Sequence, residues 1–231
     1  MFLIRFMKKE KKRIQSKLKK EYKAVIFDLD GTLINSLPYH IKAFQDLFLE
    51  HGFRVPADRI KHLAGLPTIG ILKELKKKYH FKEKLEDLRE ERRYHYFKFL
   101  GRKNIIFPCI ENAIKKLKKS YKLGIATGSS RVTFEHSTNR KFQNLFNVII
   151  TINDVHKGKP HPDQLLRAAK EMRVKPSECL VVGDSFTDGI TAKAAGMDFV
   201  GVLTGYTKEK ELKKYGAFLV LKSARELPGV L

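Results

Sequence analysis

Residues 24–33 read Ala24-Val25-Ile26-Phe27-Asp28-Leu29-Asp30-Gly31-Thr32-Leu33, an apolar run that feeds straight into two carboxylates one residue apart. The apolar half has the character of a strand covered on both faces, the kind found in parallel sheets. Side chains two apart on a strand share a side. Asp28 therefore closes the strand where it leaves the sheet, and Asp30 is expected in the loop, free to turn back towards it. Gly31 permits the tight backbone of such a reversal. Two acids this close repel each other and resist joint ionisation; a cation between them removes that cost. Mg2+ is the expected ion, because it takes oxygen ligands and often binds through one or two carboxylates plus a substrate phosphate.

On the N-terminal side, residues 1–21 form a basic extension with too few apolar residues to build a core. They read as a solvated tail or frayed helix, or as an anchor to an acidic partner. On the C-terminal side, helices are expected over 38–51, 57–63, 68–79 and 83–100. Asn35 or Ser36 is placed to cap the first of them, with Pro38 in its opening turn. No strand pattern interrupts residues 36–101, so this stretch is expected to be an inserted α-helical cap domain. The core domain is then 22–35 together with 102–231. From Pro108 onward, helices at 109–120, 131–143, 162–173, 186–195 and 208–214 alternate with strands at 122–126, 148–152, 179–182, 199–203 and 218–221. That alternation means right-handed βαβ units and an α/β, doubly wound parallel sheet.

The 231 residues are 42% hydrophobic and 31% charged, which suits a globule with a sizeable core. No apolar run reaches the length of a membrane-spanning helix. Cys109 and Cys179 lie far apart among apolar neighbours and show no metal spacing, so both are expected to be buried free thiols, which fits a reducing cytoplasm. The net charge of +22 would attract phosphates, nucleic acid or acidic membranes. Much of the lysine is interleaved with glutamate on helix faces, which is the pattern of a solvated surface.

Ligands of open α/β sheets bind beyond the carboxyl ends of the strands. The first strand ends in Asp28, the second in Thr127-Gly128-Ser129. The third is followed by Lys157-Gly158-Lys159-Pro160, and the fourth ends in Gly183-Asp184-Ser185-Phe186-Thr187-Asp188. The Thr127 hydroxyl can donate to a phosphoryl oxygen, and the amides of Gly128 and Ser129 open a helix, which favours anions; Ser129 or Ser130 can also cap it. Lys159 is a compact point charge suited to a phosphate. Asp188 can bind a cation directly, bind it through water, or serve as an early-helix acid favoured by the macrodipole.

These four strand ends, in this order, resemble the four signatures of the haloacid dehalogenase superfamily, and the resemblance covers residues 22–221. It implies a Mg2+-dependent phosphatase of a small phosphorylated metabolite. Asp28 would be the nucleophile that forms an aspartyl-phosphate, and Asp30 the acid and base; the dehalogenase members lack the second Asp. It further implies metal ligation by Asp28, Asp184, the backbone carbonyl of Asp30 and, directly or not, Asp188. Lys159 and Thr127 would hold the phosphoryl oxygens. His40 matches a proton-transferring histidine of the β-phosphoglucomutase branch, and is equally readable as a helix histidine at a domain interface. Against a mutase, the cap loop Gly65-Leu66-Pro67-Thr68-Ile69 lacks that branch's arginine, and Gly183-Asp184 stands where the branch has Glu-Asp. Both that pair and Leu203-Thr204-Gly205-Tyr206 are closer to phosphoglycolate phosphatases. A sugar-phosphate mutase is the alternative enzyme. A polyanion-binding protein with an idle site is the alternative of another class, though no nucleic-acid motif is present. A monomer or homodimer is expected.

Overall fold

The computed structural model describes residues 14–231. Six strands form one parallel sheet in the order β3-β2-β1-β4-β5-β6. They are β1 (Ala24–Phe27), β2 (Lys122–Ala126), β3 (Val148–Ile150), β4 (Cys179–Gly183), β5 (Asp198–Val202) and β6 (Ala217–Leu221). The order reverses between β1 and β4, and this is where a doubly wound sheet opens a crevice for ligands. The strand–helix alternation therefore gave the right architecture.

The continuous apolar character of β1 has a direct cause. Val25 and Phe27 join a core with Leu123, Ile125, Leu180 and Val182 on one face of the sheet. Ala24 and Ile26 join Ala126, Val181 and Phe199 on the other. With both faces covered, every residue of the strand must be apolar.

Four helices lie between β1 and β2: α1 (Leu37–Glu50), α2 (Ala57–His62), α3 (Thr68–Tyr79) and α4 (Leu85–Leu100). They share a hydrophobic cluster of their own, built from Ile41, Phe44, Leu47, Phe48, Ile60, Leu72, Leu75 and Leu88. Chain segments crossing to and from this insert run side by side, with Asn35 N–H donating to the Ile105 carbonyl at 2.7 Å. Further helices are α5 (Ile110–Leu117), α6 (Arg131–Ser137), α7 (Arg140–Gln143), α8 (Asp163–Glu171), α9 (Phe186–Ala194) and α10 (Glu209–Lys214).

Three expectations need correction. The single helix over 131–143 is two, because Thr138 is extended and Asn139 starts a new helix by accepting from Phe142 N–H at 2.9 Å. Cys109 is exposed, not buried; it occupies a left-handed turn at the start of α5 that carries its side chain outward. Ser36 occupies the N-cap position of α1 but makes no capping bond with its side chain. Its hydroxyl is committed to Asp30 instead, at 2.6 Å.

Of the basic extension, residues 1–13 lie outside the described residues. The described end is anchored to the protein's own sheet: Lys17 and Lys20 donate to Asp198 at 2.5 and 2.6 Å, and the Tyr22 hydroxyl donates to the same carboxylate at 3.0 Å. Burial works against ionisation of Asp198, but these donors outweigh it and hold its carboxyl below the usual range. Both lysines are about one-third exposed, which limits each pair to about 1 kcal/mol or less. Asp198→Ala is expected to release residues 14–20, seen as faster amide exchange there by mass spectrometry with the rest of the sheet unchanged. Unaltered protection of 14–20 would show that the anchor lies elsewhere.

Candidate active site

Strand register brings the acids together. Phe27 pairs with Val182 across β1 and β4, and Asp28 N–H donates to the Val182 carbonyl at 2.8 Å. Asp28 and Asp184 thus leave neighbouring strands at the same end of the sheet. Asp188 joins them from the first turn of α9. One carboxylate oxygen from each of Asp28, Asp184 and Asp188 lies within 4.8 Å of the other two. Three hard oxygen donors at this separation fit a small divalent cation.

Lys159 reaches into the cluster from the loop after β3, donating to Asp28 and Asp188 at 2.6 Å each. Burial alone would lower its pKa, but the charges of Asp188 and Asp28 overcome this and keep it an ammonium. Asp188 also completes a capping box with Ser185, whose N–H and hydroxyl donate to its second oxygen at 3.0 and 2.6 Å. The helix-acid reading of Asp188 and its place beside the cation cluster hold together. Burial first, and then the neighbouring carboxylates of Asp188 and Asp30, raise Asp28 to about 7 against the pull of Lys159. Burial and the charges of Asp28 and Asp188 push Asp184 well above the carboxylate range, although Thr32 donates to it at 2.7 Å.

Asp30 does not turn its carboxylate into this cluster. Ser36 and His40 donate to one oxygen at 2.6 and 3.1 Å, and Ser129 and Thr127 to the other at 2.8 and 3.3 Å. Burial opposes ionisation here too, but the donors led by His40 hold the carboxyl well below its usual range. The expected repulsion between Asp28 and Asp30 falls on Asp28, because the donors on Asp30 keep that acid ionised, and the carboxylates gathered at one locus are those of Asp28, Asp184 and Asp188.

His40 is fixed on three sides. Its ring stacks on Tyr96 with centroids 4.3 Å apart, and the Arg92 guanidinium contacts Nδ1. With Nδ1 accepting from Arg92, Nε2 carries the proton donated to Asp30, so the ring is neutral. Its pKa is lowered, by burial first and by Arg92 second. Ser130, not Ser129, caps α6. Gly128 and Ser129 line a cavity of about 280 Å3 together with Asp28, Asp30, His40, Lys159, Asp184 and Asp188.

Sequence reasoning missed several roles here. Gly205 packs so closely that a Cβ would fall 1.9 Å from a carboxylate oxygen of Asp184, and at Gly31, which also has a positive φ of 81°, the same oxygen is 2.6 Å away. Only glycine leaves room for that carboxylate. Arg89, Glu90, Arg92 and Arg93 of α4 also line the cavity. Across the mouth, the Thr187 hydroxyl donates to the Gly65 carbonyl at 2.6 Å, and Lys61 lies over the Tyr206 ring at 5.8 Å. The two contacts join the helical insert to the first turn of α9 and to the loop after β5.

The raised acids have a consequence for stability. Asp28 and Asp184 bind protons more tightly folded than unfolded, so without a cation their contribution is full below about pH 4; that of Asp28 is lost as pH rises through about 7, and that of Asp184 falls in the same direction. A divalent cation offsets that loss. In melts from about pH 5 to about pH 8, the rise in Tm caused by adding a divalent cation to chelator-treated protein is expected to grow with pH. A gain that is flat or shrinks with pH would show that these carboxylates do not share the ion. Gly205→Ala is expected to weaken cation affinity about tenfold or more, read by calorimetry, because the added methyl displaces Asp184; unchanged affinity would remove Asp184 from the set.

Comparison with known proteins agrees with this geometry. A family-wide sequence profile described as haloacid dehalogenase-like hydrolase matches residues 25–202. A protein of Bacillus mycoides named pyrophosphatase PpaX is 31% identical over 214 residues, covering 90% of this chain and 95% of its own. A hydrolase of Pseudomonas syringae superposes with a TM-score of 0.80 at 29% identity, over 90% of this chain and 96% of the other. The β-phosphoglucomutase of Clostridium difficile gives 0.75 at 28%, over 89% and 93%. The matched segment takes in the acids after β1 and β4, the lysine loop and the whole helical insert, and the chain belongs to the haloacid dehalogenase-like hydrolases.

Proposed function

We propose that the protein is a Mg2+-dependent phosphatase of a small phosphorylated metabolite, of phosphoglycolate-phosphatase type, working through an aspartyl-phosphate. The observation that carries this is the division of labour between two acids of one loop. Asp28 is gathered with Lys159, Asp184 and Asp188, while Asp30 is held apart by hydroxyls and His40. A nucleophile and a proton-transfer group need such different surroundings.

In the first half-reaction an Asp28 carboxylate oxygen bonds to phosphorus as the bond from phosphorus to the alcohol oxygen breaks. Asp30 passes a proton to the departing oxygen, a step that requires its neutral form and so a loosening of the hydrogen bonds that hold it as an anion. In the second, Asp30 takes a proton from water, whose oxygen attacks the aspartyl-phosphate and frees Asp28 and phosphate. The described arrangement, with Asp30 held as an anion, suits this second step. Lys159, the Thr127 hydroxyl and the amides of Gly128 and Ser129 offset charge on the phosphoryl oxygens. Asp28, Asp184, Asp188 and the Asp30 carbonyl would hold Mg2+, which supplies charge neutralisation and a template for the phosphoryl group. Helices α1 to α4 serve as the cap, with residues 36–101 as its extent, and the contacts of Thr187 and Lys61 hold it over the site to limit water.

His40 favours a second reading, a sugar-phosphate mutase, because it sits on Asp30 and on Arg92 of the cap at once. The two readings separate on product. Phosphate release is expected from a panel of sugar phosphates, carboxylate phosphates and inorganic pyrophosphate with Mg2+, and loss of that release with chelator. Asp28→Asn is expected to lower kcat by about a thousandfold or more, and Asp30→Asn by about a hundredfold or more. Isomerisation without phosphate release would favour the mutase; full turnover by Asp28→Asn would refute both.

A further inference from the structure

The cap side of the cavity carries a feature that the chemistry at phosphorus does not use. Arg89, Arg92 and Arg93 stand at positions i, i+3 and i+4 of α4, so they form one stripe, and all three line the cavity. Tyr96 continues the stripe at i+7 and fixes it to the core, with its hydroxyl 2.8 Å from that of Ser137. Glu90 is the acid among these arginines; it accepts from Arg89 at 3.3 Å and pairs with Arg93. One carboxylate against three guanidiniums leaves two positive charges facing the cavity.

Arg92 is 5% exposed, stays cationic with its pKa lowered by burial only to about 10, and its Nε finds no hydrogen-bond partner among the described residues. A buried guanidinium nitrogen without an acceptor is costly. It contacts His40 through one terminal nitrogen and stacks on Phe44 with 5.0 Å to the ring centroid, so the group is positioned rigidly with donors unspent. The same cavity also has apolar lining, from Leu37, Ile41, Phe44, Leu66 and Ile69. A transferring phosphate engages Lys159 and the loop amides on the core side. That leaves the arginines of α4 to a second group on the substrate.

We propose that Arg89, Arg92 and Arg93 form a second anion subsite, so that the preferred substrate is a phosphoester whose alcohol half has an apolar body ending in a carboxylate or a second phosphate. The selectivity comes from guanidinium forks, which match both groups in two-point contact. This rests on the phosphatase reading for the orientation of the substrate, but binding can be measured without catalysis.

Three phosphonates that cannot be hydrolysed serve as probes: benzylphosphonate, 4-carboxybenzylphosphonate and 1,4-xylylenebisphosphonate. Calorimetric titration into the full chain with Mg2+ is expected to show one or both dianion-ended probes binding about tenfold or more tighter than benzylphosphonate, and which one is tighter names the second group. Arg89→Ala with Arg93→Ala is expected to reduce that preference to about twofold or less, and the paired lysine substitutions to retain part of it. Thermal melts confirm that the variants are folded. Equal affinity for all three probes, or a preference that survives the double alanine variant, overturns the subsite. If the preference holds while no ester is hydrolysed, the subsite stands and the phosphatase reading falls; the converse result sinks the subsite alone.

Discussion

The site depends on what it takes to bury three carboxylates beside one ammonium. Lys159 stands between Asp28 and Asp188, and Asp184 lies within reach of both. One positive charge cannot balance three negative ones in a setting that also penalises each ion for lost hydration. The imbalance is visible in the raised pKa values of Asp28 and Asp184. A divalent cation would supply the missing charge, and a phosphoryl group would then meet a centre close to neutral. On the proposed function, the same electrostatics would favour a metal and a phosphate together.

The fold makes this arrangement possible by putting the ends of β1 and β4 side by side and sealing both faces of the sheet with apolar layers. Small residues do the rest: Gly31 and Gly205 leave the space that the Asp184 carboxylate fills. The helical insert contributes on two levels. It has a core of its own, and α1 and α4 lend the site His40 and Arg92, which link the insert to Asp30. A displacement of the insert would therefore change the hydrogen bonds on Asp30 as well as access to the cavity.

Much of this was legible in the residues. The strands could be read because a strand buried on both faces has no polar position, and β1 and β4 are nearly free of them. Asp28, Asp184, Lys159 and Thr127 could be singled out because each ends or follows such a strand. Other features were hidden for identifiable reasons. Thr138 breaks a helix that periodicity would continue, and only the capping bond of Asn139 reveals it. Ser36 looks like a helix cap by position, yet its hydroxyl serves Asp30. The arginines of α4 sit in a stretch so rich in charge that a solvated face is the natural reading; their i, i+3, i+4 spacing with Tyr96 was the signal available. Cys109 has apolar neighbours in sequence, but a left-handed turn points it outward.

The central claim is that Asp28 accepts the phosphoryl group. The most direct measurement is acid quenching of the wild-type protein during turnover of a phosphoester with Mg2+, followed by peptide mapping by mass spectrometry under conditions that preserve acyl phosphates. The expected result is a phosphate on the peptide carrying Asp28, discharged by hydroxylamine. Turnover with no phosphorylated peptide, or with the phosphate on another residue, would contradict the account.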